Sequence, residues 1–231
     1  RLSILPDNDF STQQVHRSDM THSLLGTRTV LRRHARSTTL AALAVLAACG
    51  GAADAPSGES EEELVARARG IHERVITLDT HDDINPANFT ADRNYTMDLE
   101  TQVNLPKMEE GGLDVSWMIV YVGQGDLTDA GFDEAYAQAV SKFDAIHRLT
   151  TEIAPDRIGL ALNSDDVRRL AAEGKKVAMI GIENGYPVGM DIGRVREFAE
   201  RGGRYMSLAH NGHSQLADSN TGEALDDWLH E

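Results

Sequence analysis

Between residues 60 and 210, compact apolar runs alternate with stretches in which apolar residues recur every three or four positions. Val75–Leu78, Val115–Val122, Val177–Ile182 and Arg204–Ala209 are the compact runs, and their length and content predict strands. Ile158–Leu162 reads as a shorter extended piece. The periodic stretches predict helices. Ser60 and Glu63 make an S-x-x-E capping box that opens the first, with an apolar stripe of Leu64, Val65, Ala68 and Ile71. Asp133–Ile153 carries apolar residues at 136, 139, 140, 143, 146 and 149. Ser164 is expected to cap a third helix, with Asp165 and Asp166 in its first turn and Gly174 at its end. Asp191–Gly202 sets Ile192, Val195, Phe198 and Ala199 on one face.

Strand followed by helix, repeated about four times, predicts an α/β fold with a parallel sheet. Right-handed crossovers leave two forms, a doubly wound sheet or a (β/α)8 barrel. No glycine-rich phosphate fingerprint follows the first strand, which weakens the nucleotide-binding form.

The segment before this pattern reads as an address. Arg28, Arg32, Arg33 and Arg36 precede the apolar stretch Leu40–Ala48, a positive region followed by a short hydrophobic one, as in a secretory signal peptide. It ends Leu46-Ala-Ala-Cys49-Gly50, which resembles a bacterial lipobox and makes Cys49 the expected lipidation site. The competing reading is a short core helix with a buried cysteine. Met20 is a plausible start, which would make residues 1–19 upstream sequence. Residues 1–48 are therefore expected to be upstream sequence and lipoprotein signal peptide, 49–60 a small, polar tether, and 61–231 the folded part.

Composition narrows the function. The 231 residues hold 22 basic and 37 acidic side chains, a net charge of −15, with 41% hydrophobic and 26% charged residues, an ordinary globular balance. The six Arg and three Asp of residues 1–48 make the remainder still more acidic. A nucleic-acid partner is excluded, because phosphate neutralisation needs a surplus of Lys and Arg. One cysteine excludes an intrachain disulfide framework and a cysteine-only zinc site. No apolar run reaches the ~20 residues that span a bilayer.

The polar residues that could carry chemistry cluster where the strands are expected to end. His81-Asp82-Asp83 follows the first strand, and residues i and i+2 of an extended segment point the same way, so His81 and Asp83 can meet one cation. Glu183 ends an apolar strand, and His210-Asn211 follows the last one. Two histidines and two carboxylates at one rim of a parallel sheet suit zinc or a similar divalent metal.

These same residues carry a resemblance. Asp79-Thr-His-Asp-Asp-Ile84 resembles the D-G-H-N-D-L block of the membrane dipeptidase (renal dipeptidase) family of metallopeptidases. Gln102–Gly112 resembles its D-L-P-R-L-R-x-G-G segment, and Ile180–Gly185 its I-G-x-E-G-G. Gly203–Asn211 with Ala217-Asp-Ser219 is similar to its V-R-Y-x-T-L-T-H-N and A-D-S. The resemblance implies a (β/α)8 TIM barrel of the metal-dependent hydrolase type, of which about the first four βα units are present. It implies that His81 and Asp83 bind one zinc, that Glu183 bridges it to a second, and that His210 contacts the substrate carbonyl. Two further histidines would complete the second zinc site from beyond Glu231, so the 231-residue chain alone is expected to be inactive. Dipeptides are the implied substrates, the membrane is a partner through the lipid anchor, and a homodimer is a candidate assembly. The expected location is the bacterial cell envelope.

The chain departs from the family pattern at Asp82 in place of Asn, Asn184 in place of Gly and Ala209 in place of Thr. None removes an implied ligand. His213 and His230 read as loop or surface residues, His72 and His147 as structural or solvent-facing helix residues, and Trp117 as core. Two other functions stay open on the residues alone. One is an amidohydrolase-like metal enzyme acting on another small amide or a lactone. The other is a non-catalytic, ligand-binding lipoprotein.

Overall fold

The computed structural model describes residues 58–225. Cys49, the proposed leader and His230 lie outside these residues. Among the described residues no helix is long and apolar enough to cross a membrane.

The elements in chain order are α1 (Glu61–His72), β1 (Leu78–Asp83), α2 (Leu105–Gly111), β2 (Val115–Tyr121), α3 (Asp129–Arg148), β3 (Ile158–Leu160), α4 (Ser164–Ala172), β4 (Lys176–Glu183), α5 (Gly193–Glu200) and β5 (Gly203–Met206). Helix α1 forms with the expected capping box, the Ser60 side chain and the Glu63 carboxylate each meeting the other's backbone N–H. Its stripe is uncovered: Leu64, Val65 and Ile71 are all exposed.

Several boundaries differ from the sequence pattern, each for a local reason. β1 lies three residues further on than the apolar run at 75–78, because parallel pairing with β2 recruits the polar residues Asp79 to Asp83. Helix α4 is capped by Asn163, not Ser164, with Asn163 Oδ1 accepting the N–H groups of Asp165 and Asp166. Helix α3 starts earlier, at a Thr128 cap, and widens into a π-helical turn over Leu149–Ile153. There Thr150 and Thr151 both donate to the His147 carbonyl. Helix α2 is unannounced by any periodicity. It depends on Asn104 as cap and on Gly112, whose φ of 69° ends it in the left-handed region.

All strand pairings are parallel. β2 runs along β4 from Val115↔Val177 to Tyr121↔Glu183. The other edge of β4 is shared, with β3 against residues 176–178 and β5 against 180–182. Apart from the short β3, the order β1-β2-β4-β5 advances with the chain. A doubly wound sheet reverses its order, whereas successive barrel strands do not.

Alternation along the strands makes two faces. Met118, Val120, Ile180 and Ile182 pack with Phe132, Ala139, Phe143 and Ile146 of α3 and Phe198 of α5. The opposite face holds Val115, Val177 and Met179, with Trp117 against them. Tyr205 of β5 reaches across this second face, tilted on Trp117 at 5.0 Å, and its hydroxyl donates to the Thr80 carbonyl of β1 at 3.4 Å. A flat sheet would hold those two strands about 14 Å apart, so this face is concave. The crossing needs Gly181, since a Cβ there would sit 2.1 Å from the Tyr205 ring.

Asp82 points away from the concave face. It is 8% exposed, and its one side-chain partner is the Ser116 hydroxyl at 3.5 Å. Burial, then the charge of Asp79, pushes its carboxyl up to about 7. The buried Tyr95 hydroxyl has no hydrogen-bond partner among the described residues, and burial followed by the Asp82 charge raises it too.

Two predictions follow from these contacts. Gly181→Ala should destabilise the protein by about 2 kcal/mol through overpacking, and Tyr205→Leu in the same chain should recover part of the loss. Thermal denaturation of the two variants measures both. For Asp82, the folded state binds the proton more tightly than the unfolded chain, so this group's contribution favours folding at low pH. It is lost as pH rises from about 4 through 7. Asp82→Asn should therefore stabilise the metal-free protein at pH 8, on the order of 3 kcal/mol, and change it little at pH 4. Melting curves at the two pH values check the sign.

Candidate metal centre

β1 is irregular where it matters. Its register with β2 breaks between Asp79 and Asp82, leaving Thr80 and His81 outside the ladder. Such a bulge re-aims a side chain. The Asp79 carboxylate accepts the His81 backbone N–H at 3.0 Å and steadies the bend. His81 and Asp83 then lie close, with 3.7 Å between Nε2 and Oδ1.

Glu183 comes from the end of β4, after six buried residues. The next residue fixes the corner. Asn184 has φ 78°, the left-handed region that Gly enters freely and Asn tolerates. That is why a Gly-to-Asn departure is accommodated here. Asn184 is wholly buried and fully engaged. Its backbone N–H donates to Ser207 Oγ, its Nδ2 donates to the Val122 carbonyl and Gln124 Oε1, and its Oδ1 accepts the Tyr186 N–H. Backbone and side chain of this one residue thus tie the ends of β2 and β4 to the turn after β5.

His210 is not at a strand end. β5 stops at Met206, and His210 sits four residues later in an isolated bridge with Gly212. Its carbonyl accepts the Ser219 hydroxyl. Its ring meets Tyr121 edge-on at 5.1 Å, and its Nδ1 is buried with no hydrogen-bond partner among the described residues.

The four residues meet at Glu183. Its Oε2 lies 3.2 Å from His81 Nε2, and its Oε1 lies 3.0 Å from His210 Nε2. One ligand atom each from His81, Asp83 and Glu183 falls in a cluster within 4.8 Å of one another. The Glu183 side chain is 18% exposed and that of Asp83 62%, so the group opens to solvent on one side. Imidazole nitrogen with carboxylate oxygens is the donor set of zinc and similar divalent metals, and it fits these residues. A cavity of about 280 Å³ adjoins them, lined by Asp79, His81, Asp82 and Asp83 with the 101–103 loop. A larger cavity of about 600 Å³, between the β2–α3 turn and Tyr186, contains none of the four.

Two other described histidines have partners elsewhere. His147 Nε2 lies 2.8 Å from the Arg201 carbonyl, joining α3 to the end of α5. His213 belongs to a loop, as expected, and is half-buried. Its Nδ1 accepts the Ser219 N–H at 2.9 Å and lies 3.2 Å from buried Asp218. Two neighbours of the site escape the sequence pattern. Tyr121 carries no polar motif, and Lys142 is one cation in an amphipathic helix. Lys142 Nζ sits 5.8 Å from the Tyr121 ring centroid. Burial pushes its ammonium down, while the charges of Asp83 and Glu183 hold it up.

The chain is similar to several known proteins. A dipeptidase of Claviceps purpurea, tcpJ, is 31% identical over 133 residues, which are 56% of this chain and 31% of that protein. The aclJ dipeptidase of Aspergillus oryzae is 30% identical over 141 residues, 59% of this chain and 32% of its own. The chain spans about a third of the length of these curated relatives. Among solved structures, the probable dipeptidase PvdM of Pseudomonas aeruginosa superposes with a TM-score of 0.63 at 26% identity, covering 69% of this chain and 41% of that one. A metallopeptidase of Rhodobacter sphaeroides, liganded with a phosphinate mimic of L-Ala-D-Ala, shares the fold at a TM-score of 0.51 and 21% identity, over 66% of this chain and 53% of that one. The model of the membrane dipeptidase family, peptidase family M19, matches residues 65–228 and so takes in the whole candidate centre, and the chain belongs to that family.

Proposed function

We propose that this chain is the N-terminal part of an exported, zinc-dependent dipeptidase. The observation that carries the proposal is the shared carboxylate of Glu183, with His81 at one oxygen and His210 at the other, and Asp83 beside His81. In this reading His81 and Asp83 would hold one zinc, and Glu183 would be shared between it and a second. Zinc bound there would polarise the scissile carbonyl and acidify water.

The chain's own groups then have definite tasks. Glu183 offers one oxygen to each side, which suits a bridging carboxylate. His210 Nε2 lies 3.0 Å from a Glu183 carboxylate oxygen, on the same side as the proposed reaction centre. With a proton on Nε2, His210 would donate to the substrate carbonyl oxygen as charge develops on it. Asp79 and Asp83 line the adjoining cavity, a setting that favours the ammonium end of a short peptide. Dipeptidase relatives, and a family structure holding a dipeptide mimic, support this substrate class. Cys49 would anchor the chain by lipid in the bacterial envelope.

The test uses the complete protein. Dipeptide hydrolysis that requires zinc is expected, with metal confirmed by elemental analysis. Glu183→Gln should reduce turnover by roughly a hundredfold or more and lower the bound zinc. Wild-type turnover in that variant would contradict the shared-carboxylate reading. A protein without stoichiometric metal would instead point to a binding lipoprotein, and activity confined to lactones or other amides to a different hydrolase.

A further inference from the structure

A histidine that must point accurately at a reaction centre is usually oriented through its second ring nitrogen, by a carboxylate, a carbonyl or water. His210 lacks that support, because its Nδ1 is buried without a partner among the described residues. Beside the Glu183 oxygen 3.0 Å from Nε2, its ring orientation depends on packing. The aromatic contact is Tyr121, whose ring stands at 66° to the imidazole with centroids 5.1 Å apart. Tyr121 is the register partner of Glu183, so one pair of strand positions supplies both the shelf for His210 and the oxygen it faces.

The shelf has its own support. Lys142 places its ammonium 5.8 Å from the Tyr121 ring centroid, within the range where a cation is attracted to an aromatic face. Removing a lysine from water is unfavourable unless local charges or dipoles replace hydration. Here the ring face does so, together with the fields of Asp83 and Glu183. The cation is therefore held where it can immobilise Tyr121 without touching a metal ligand or the substrate.

We propose that Lys142 is a positioning residue for His210. Its ammonium fixes the Tyr121 ring, the ring edge fixes the imidazole, and Nε2 stays directed at the reacting carbonyl. This deepens the dipeptidase reading and rests on it, since the imidazole's task is taken from there.

The experiment compares Lys142→Met, which keeps the aliphatic stem, with Lys142→Arg, Tyr121→Leu and the Lys142→Met/Tyr121→Leu pair in the complete protein. Two readouts are taken. The first is the His210 imidazole NMR signal in metal-free protein, identified by its loss in His210→Gln. The second is kcat and KM at full zinc loading. Lys142→Met should shift and broaden the His210 signal, leave bound zinc unchanged and cut kcat about five- to tenfold with KM within about twofold. Lys142→Arg should restore both readouts, and the double variant should be no worse than Tyr121→Leu. An unchanged His210 signal in Lys142→Met, additive losses in the double variant, or a loss of zinc that accounts for the lost activity would each overturn the proposal. A wild-type protein that hydrolyses no dipeptide would sink the functional reading alone, because the metal-free NMR comparison still decides whether Lys142 orients His210.

Discussion

The concave curl of the sheet is what the site depends on. β1 and β4 are not neighbours, because β2 lies between them. Even so, His81 from β1 comes within 3.2 Å of Glu183 from β4. A side chain reaches two strands over only when the strands bend toward each other on the face it occupies. The same bend lets Tyr205 of β5 touch the backbone of β1. Parallel pairing with helical crossovers supplies the twist, and Gly181 removes the one side chain that would hold Tyr205 off the sheet. The chemistry is a consequence of curvature before it is a consequence of any single residue.

Curvature also concentrates charge. Asp83 and Glu183 converge with His81, Asp79 lines the adjoining cavity, and Asp82 is buried behind it. Two of these groups are managed by the protein itself. Asp79 is tied to backbone, and burial holds Asp82 in its neutral form over much of the pH range. The remaining carboxylates, Asp83 and Glu183, converge with His81 on the open side. An acidic chain thus keeps its uncompensated charge where a cation can use it.

Much of this could be read from the residues, and the exceptions share a cause. Apolar runs at β2 and β4 and the spacing along α3 announce themselves locally. His81, Asp83 and Glu183 stand out as polar residues beside apolar strands. Pairing does not announce itself, so β1 appeared three residues early, and strand order could not distinguish a doubly wound sheet from a barrel. Helix α2 was hidden because seven residues are too few for a period to show, and its cap works through Asn104 and Gly112. Tyr121 and Lys142 act on His210 from 89 and 68 positions away, and a tyrosine ending a strand or a lysine in a helix has no local mark of that role. His213 is in a loop as its context suggests, but its pairing with Asp218 has no local mark either.

The corner at Asn184 has a consequence for how this protein ages. Asn followed by Gly is the dipeptide most prone to spontaneous deamidation, since the small Gly lets its amide nitrogen attack the Asn side chain. Asn184-Gly185 has that composition beside the centre. Attack requires the side-chain amide to swing free, yet its nitrogen is bound to Val122 and Gln124 and its oxygen to the Tyr186 N–H. The native fold therefore shields a chemically fragile bond, and the shield lasts only while the corner stays closed. Each local opening exposes it, and the product would be a permanent extra carboxylate next to Glu183. Chemical lifetime at this position is set by conformational stability, so any change that loosens the ends of β2 and β4 also shortens the working life of the site.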